Sequence, residues 1–346
     1  MGHPACHGGR RPRHEEDSVA TDERPVIYAT APLRGPGLEQ LRRLGDVIED
    51  PWISADTMRL YNDEQLAERV QATSASVVIC EADQCQGALL ELPLLAIAST
   101  RGDPSNVDID GATAKGIPVL HAPGRNADGV AELAVALAFA VTRRLLPADD
   151  DVRTGEVFKD GTIPYQRFRA WELAGRTVGI VGLGAVGRAA AWRFAGLGMT
   201  VISTDPYNPD ATHTLDELLA EADVVSMHAP PLPETLAMMG EAQFAAMRDG
   251  AVYLNTARAA LHDLDALTAA LASGKLGGAG LDHFTGEVLP TDHPLCAMDN
   301  VVLTPHIGGA TYDTEANHTA LIAEDLARLL AGERPVHCAN PGLLDR

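Results

Sequence analysis

Residues 177–205 read TVGIVGLGAVGRAAAWRFAGLGMTVISTD, and no other stretch restricts the fold as tightly. An apolar run at 177–181 is followed by Gly182, Gly184 and Gly187 in G-x-G-x-x-G spacing. Val186, Ala190, Phe194 and Leu197 recur at helical intervals over 186–197, and a second apolar run, 199–203, leads to Asp205. Three spaced glycines alone are weak evidence. A strand before them, a helix after them and an acid about 20 residues on make the tract a dinucleotide-binding unit. Gly182 permits the tight turn, Gly184 admits a pyrophosphate to the backbone, and Gly187 lets helix pack on strand. Free amides at the helix start face the phosphate charge. A carboxylate at Asp205 accepts from the adenosine ribose hydroxyls and repels a 2′-phosphate, so NAD is expected over NADP.

The chain has 346 residues, room for two domains of ordinary size. Its net charge of −21 repels phosphate backbones and anionic lipid, so neither nucleic acid nor membrane is an expected partner. The most apolar stretch, 130–141, is broken by Glu132 and is too short to span a bilayer. Five scattered cysteines lack C-x-x-C spacing and suit reduced thiols. With no signal-peptide core in view, a cytoplasmic location is expected. Residues 1–24 are polar and without periodicity, and read as a disordered tail. Its His3, Cys6, His7 and His14 are not expected to hold a metal.

Short apolar runs at 25–29, 76–80, 95–98 and 118–121 alternate with helical segments at 38–44, 63–71, 88–92 and 107–115. That alternation means a parallel sheet, one α/β unit upstream of the glycine tract. A long helix is expected over 129–146, capped by Asp128 and apolar on most sides, so buried in the core or against another subunit. Residues 149–169 read as an irregular loop. Further strands are expected at 224–228, 251–255, 279–282 and 301–304, with helices at 215–220, 241–247 and 263–273. A terminal helix over 312–331 is stopped by Gly332 and Pro335.

Arg258, Glu287 and His306 each follow one of these strands. Ligands of open parallel sheets bind beyond the carboxyl ends of the strands, so one edge gathers a cation, a carboxylate and an imidazole. Singly, each has an ordinary reading as a surface or loop residue. Jointly, beside a dinucleotide site, they suit a hydroxy acid: the guanidinium pairs with its carboxylate, the imidazole exchanges a proton with the C2 oxygen, and the acid steadies the imidazolium.

The runs NTARAALHDLDAL, GAGLDHFTGEVLPTDHPL and NVVLTPHIGGAT, with STRGDPSNVDIDGATAKGIPVLHAPGRNADGVAELAVAL upstream, resemble the D-isomer-specific 2-hydroxyacid dehydrogenases. That family includes D-3-phosphoglycerate dehydrogenase and glyoxylate/hydroxypyruvate reductase. The likeness is dense over residues 97–311 and loose outside them. It implies an α/β fold of two Rossmann-like, doubly wound parallel-sheet domains, the substrate domain discontinuous. Residues 25–123 with 309–346 would form the substrate domain, and 124–308 the NAD-binding domain. By resemblance Arg258 binds the substrate carboxylate, Glu287 pairs with the histidine, and His306 is the acid/base. Ala185 and Val186 fall at the pyrophosphate and Asp205 at the ribose. His228, Thr256 and Asp282 line the cofactor, and Arg101 and Gly102 meet the substrate from the other domain. The implied partner is a small 2-hydroxy or 2-keto acid, and the implied assembly a homodimer joined through the 129–146 helix.

Departures are few. Ala259 and Ala260 stand where many members have glycine, and Val288 replaces a common proline. Glu81 lies where many members carry a basic or hydroxyl residue, and an acid there disfavours a second negative charge on the substrate. Two other readings share the fold: an NAD-binding corepressor without turnover, and a formate dehydrogenase, against which the Glu287 partner argues.

Overall fold

The computed structural model describes residues 24–54 and 58–345. The tail reading for residues 1–24, and its four possible metal ligands, therefore lie outside the described residues except for Arg24. Two wholly parallel sheets organise the chain. The first contains β1 (Val26–Ala29), β2 (Asp46–Glu49), β3 (Val77–Cys80), β4 (Ala96–Ser99) and β5 (Val119–Leu120), in the order β2-β1-β3-β4-β5. The second contains β6 (Thr177–Val181), β7 (Thr200–Thr204), β8 (Val224–Met227), β9 (Ala251–Asn255), β10 (Leu276–Leu281) and β11 (Val301–Leu303), in the order β11-β10-β9-β8-β6-β7. Each sheet reverses its winding beside its first strand, between β1 and β3 and between β6 and β8. Loops part at such a switch point, which is where α/β sheets take ligands.

Strands β3, β4 and β8 are buried along their whole length, as strands covered on both faces must be. The helix Tyr312–Leu330 returns to the first sheet: Ile322, Ala323 and Leu326 share a core with Ile27, Ala29 and Leu41. Gly37 makes that crossing close, since a Cβ there would lie 2.6 Å from the Ala320 amide nitrogen. Segments early and late in the described residues thus build one layer, while the second sheet lies between them in sequence.

Local structure departs from expectation in three places. A short edge strand forms at Asp46–Glu49, where the sequence suggested none. The long helix is Ala127–Thr142, entered from Asn126; Asp128 sits inside its first turn and pairs with Arg193 at 2.8 Å rather than capping it. Arg144 then adopts a left-handed backbone, φ 51°, and a second helix, Leu145–Thr154, begins. The expected loop 149–169 accordingly holds the end of that helix and a short one at Pro164–Arg167. Among the described residues no helix is long and apolar enough to cross a membrane.

Candidate active site

The glycine tract folds as its spacing demands. Gly182 has φ 91°, and a Cβ on it would lie 2.6 Å from the Ala229 nitrogen, where the loops after β6 and β8 touch. A Cβ on Gly187 would lie 1.9 Å from the Gly182 carbonyl oxygen, so only glycine fits. Gly184 differs: nothing stands within 4 Å of its absent Cβ. The space over Gly184 opens at the N-terminus of the helix Ala185–Gly196, where unpaired amides favour an anion. Ala185 opens that helix, and Val186 lines the cleft. Asp205, one residue beyond β7, accepts from the Leu183 amide at 2.8 Å and the Tyr207 amide at 2.9 Å. Its carboxylate is thereby held beside the glycine turn, with lone pairs to spare.

A cleft of about 1450 Å³ runs between the carboxyl edges of the two sheets. Single-ligand pockets are roughly 300–1,000 Å³, so it has room for a dinucleotide and a small acid together. From the second sheet it is lined by His228, Thr256, Arg258, Asp282, Glu287 and His306; from the first, by Arg101 and Gly102. Two buried polar atoms facing this region have no partner, Nδ1 of His228 and Oγ1 of Thr256. Unsatisfied buried groups are costly, and the polar atoms of a ligand in the cleft would satisfy both. The open backbone at Gly184, the bare helix terminus and these two atoms fit a dinucleotide. His228 Nε2 bonds the Ser226 hydroxyl at 2.8 Å, and burial pulls its pKa down to about 4, leaving a neutral ring.

Asp282 is held on several sides. Its carboxylate accepts from the Thr304 hydroxyl at 2.6 Å and from the Ile307 and Gly308 amides at 2.9 Å each. Its carbonyl accepts from the His306 amide at 2.9 Å. This one buried acid shapes the loop that carries His306. Held so, His306 has φ 55°, a conformation costly for a non-glycine residue and met mostly at functional sites. Glu287, at φ 60° after Gly286, points back so that its Oε1 lies 3.0 Å from His306 Nδ1.

Arg258 follows β9 on a turn built by Asn255. The Asn255 side chain donates to the Arg258 carbonyl at 2.8 Å and accepts from the Ala257 amide at 3.0 Å. The guanidinium donates to the Ala257 carbonyl at 2.6 Å, and among the described residues it has no carboxylate partner. Desolvation, then the like charge of Arg101, lowers its pKa from the ordinary value. Two such cations, brought together from different sheets with no salt bridge to either among the described residues, favour an anion between them.

Among the lining residues that sequence reading missed are Trp52, Arg125, His283 and His318. Arg125 pairs with Glu81, and its other terminal nitrogen donates to His318 Nδ1 at 2.8 Å. His318 Nε2 donates to the Pro32 carbonyl at 2.7 Å, which fixes the neutral tautomer; burial, above all, holds its pKa at about 4. The Trp52 indole donates to Glu81 at 3.1 Å. Glu81 is therefore compensated, which weakens the expectation that it repels a second anion on the substrate. His283, 4% exposed, lies with its ring centroid 3.8 Å from that of His306. Burial, His306 and Arg258 lower its pKa to about 4.

Residues 135–308 match the family model of the D-isomer specific 2-hydroxyacid dehydrogenase NAD-binding domain. A glyoxylate reductase of Thermofilum pendens is 36% identical over 332 residues, spanning 93% of this chain and 96% of that protein. The crystal structure of a Thermus thermophilus protein superposes with a TM-score of 0.76 at 35% identity, covering 91% of this chain and 99% of its own. The NAD-complexed D-isomer specific 2-hydroxyacid dehydrogenase of Lactobacillus delbrueckii ssp. bulgaricus gives a TM-score of 0.75 at 27% identity, covering 91% of this chain and all (100%) of its own. Glycine tract, cleft and comparisons agree: this chain belongs to the D-isomer specific 2-hydroxyacid dehydrogenases, NAD-dependent oxidoreductases that move a hydride between a nicotinamide and a 2-hydroxy or 2-keto acid.

Proposed function

We propose that the chain interconverts a small D-2-hydroxy acid and its 2-keto acid, with His306 as the acid/base. One observation carries this reading: the Glu287–His306 pair, 3.0 Å apart, stands in the same cleft as the unpaired guanidiniums of Arg101 and Arg258. Arg258, with Arg101 and the Gly102 backbone across the cleft, holds the substrate carboxylate. In oxidation His306 takes the C2 hydroxyl proton; in reduction it returns one. Glu287 steadies the charged imidazole through Nδ1 and leaves Nε2 for the substrate. Bound NAD supplies acceptance or delivery of the hydride. Gly182, Gly184, Ala185, Val186 and Gly187 cradle its pyrophosphate, Asp205 its ribose, and His228, Thr256 and Asp282 the remainder.

In this reading residues 25–123 and 309–346 form the substrate domain and 124–308 the cofactor domain. The assembly is a homodimer in the cytoplasm. Supporting the dimer, Leu146, Val152, Phe158, Tyr165, Trp171 and Trp192 are all exposed large apolar side chains, which a partner surface would cover. The test is NADH production with a panel of D-2-hydroxy acids, and NADH consumption with the keto acids. Turnover of at least one pair is expected. NADH binding without turnover on any member would replace the enzyme reading with a regulatory one.

A further inference from the structure

We propose that His283, Glu287 and His306 form a binding site for a zinc-like divalent cation, whose occupation stops turnover. One ligand atom from each lies within 4.8 Å of the others. Two imidazoles and a carboxylate are a donor set that zinc and its neighbours prefer, at bond lengths of about 2.1 Å. Two donors of one ion are then at most roughly 4.2 Å apart. The Glu287–His306 separation of 3.0 Å, now a hydrogen bond, is close to one edge of such a polyhedron, and the trio, within 4.8 Å, needs a contraction of at most about 0.6 Å to hold one ion.

His283 makes the site. It is more than nine-tenths buried, its ring centroid lies 3.8 Å from that of His306 with the planes tilted by 53°, and among the described residues its nitrogens have no hydrogen-bond partner. The proton transfer uses Glu287 and His306 but gives His283 nothing to do. Glu287 and His306 are exposed to the cleft, so an ion reaches them directly and keeps open positions for water. Asp103, Asp313 and Glu315 line the same cleft and favour cation entry. Arg101 and Arg258 oppose it, which points to a reversible site. An ion on His306 Nδ1 leaves the neutral ring's proton on Nε2, which then cannot accept one from the substrate, and it engages the carboxylate that steadies the imidazolium.

The inhibitory consequence rests on the proposed role of His306; binding does not, so the two are measured separately. Zinc chloride is titrated into the full chain during turnover, and cobalt chloride is followed by its visible absorption without substrate. Wild type is expected to be inhibited, with recovery on EDTA, and to develop saturable cobalt bands. His283→Leu and His283→Gln should each need at least about tenfold more zinc for half-inhibition, relative to their own metal-free rates, and lose the bands. The tail histidines are present in every protein compared, so they cancel. Equal half-inhibition or equal cobalt bands in wild type and both variants would overturn the site. Cobalt bands that depend on His283 without zinc inhibition would keep the site and overturn its effect on turnover.

Discussion

Glu287 Oε1 meets His306 Nδ1 at 3.0 Å, and the two residues reach each other from separate loops that both bend through left-handed backbone. Sequence distance does not bring them together; the Asp282-held loop and the Gly286 turn do. Glu287→Gln keeps size and hydrogen bonding but removes the charge. Reduction of the keto acid, which starts from the charged imidazole, should lose about 10²-fold in kcat/KM, and oxidation less. His306→Ala should lose both directions with NADH affinity retained. Steady-state kinetics in the two directions check this, and an equal small loss in both would remove Glu287 from the role.

Arg258 offers a fork to a carboxylate, and lysine offers a point charge. Arg258→Lys is expected to raise KM for the acid at least about tenfold and lower kcat, while NADH titration stays unchanged. Near-normal turnover would mean that another group anchors the substrate.

Gly184 and Gly187 should separate folding from binding. A Cβ at Gly184 meets nothing within 4 Å, so Gly184→Ala should melt as wild type does but bind NADH more weakly. A Cβ at Gly187 would stand 1.9 Å from a carbonyl oxygen, so Gly187→Ala should lower the melting temperature as well. Identical behaviour of the two variants would contradict the division of roles.

Asp205 stands beside the glycine turn with its carboxylate held by two amides. NAD should exceed NADP by at least about tenfold in kcat/KM, roughly 1.4 kcal/mol of discrimination. Equal efficiency with the two cofactors would defeat the assignment.

Burial holds the pKa of His228, His262, His283 and His318 at about 4. In the unfolded chain each titrates near ~6.5. Between those values the unfolded state binds more protons, so stability is complete above about pH 6.5 and is lost as pH falls toward 4. The melting temperature should drop by several degrees between about pH 7.5 and pH 5.5, measured by calorimetry without cofactor. A flat profile would mean these rings are not held neutral.

Local rules were enough for much of this protein. The spacing of Gly182, Gly184 and Gly187 after an apolar run determined a phosphate-binding turn, because Gly182 and Gly187 answer backbone and contact constraints that the turn itself imposes and Gly184 leaves the space over the helix start open. Placing Arg258, Glu287 and His306 after strands determined that they share a sheet edge, because parallel strands end on one side. Tertiary structure decided what depends on distant partners. Arg125 finds Glu81 across 44 positions and His318 across 193, so no local pattern announces that network or the neutralisation of Glu81. The close, tilted contact of His283 with His306 depends on how two loops converge. The break at Arg144 had a local cause that the expectation of one helix over 129–146 passed over: Pro147 has no amide to bond the Arg143 carbonyl, and a left-handed turn at Arg144 ends the first helix ahead of it.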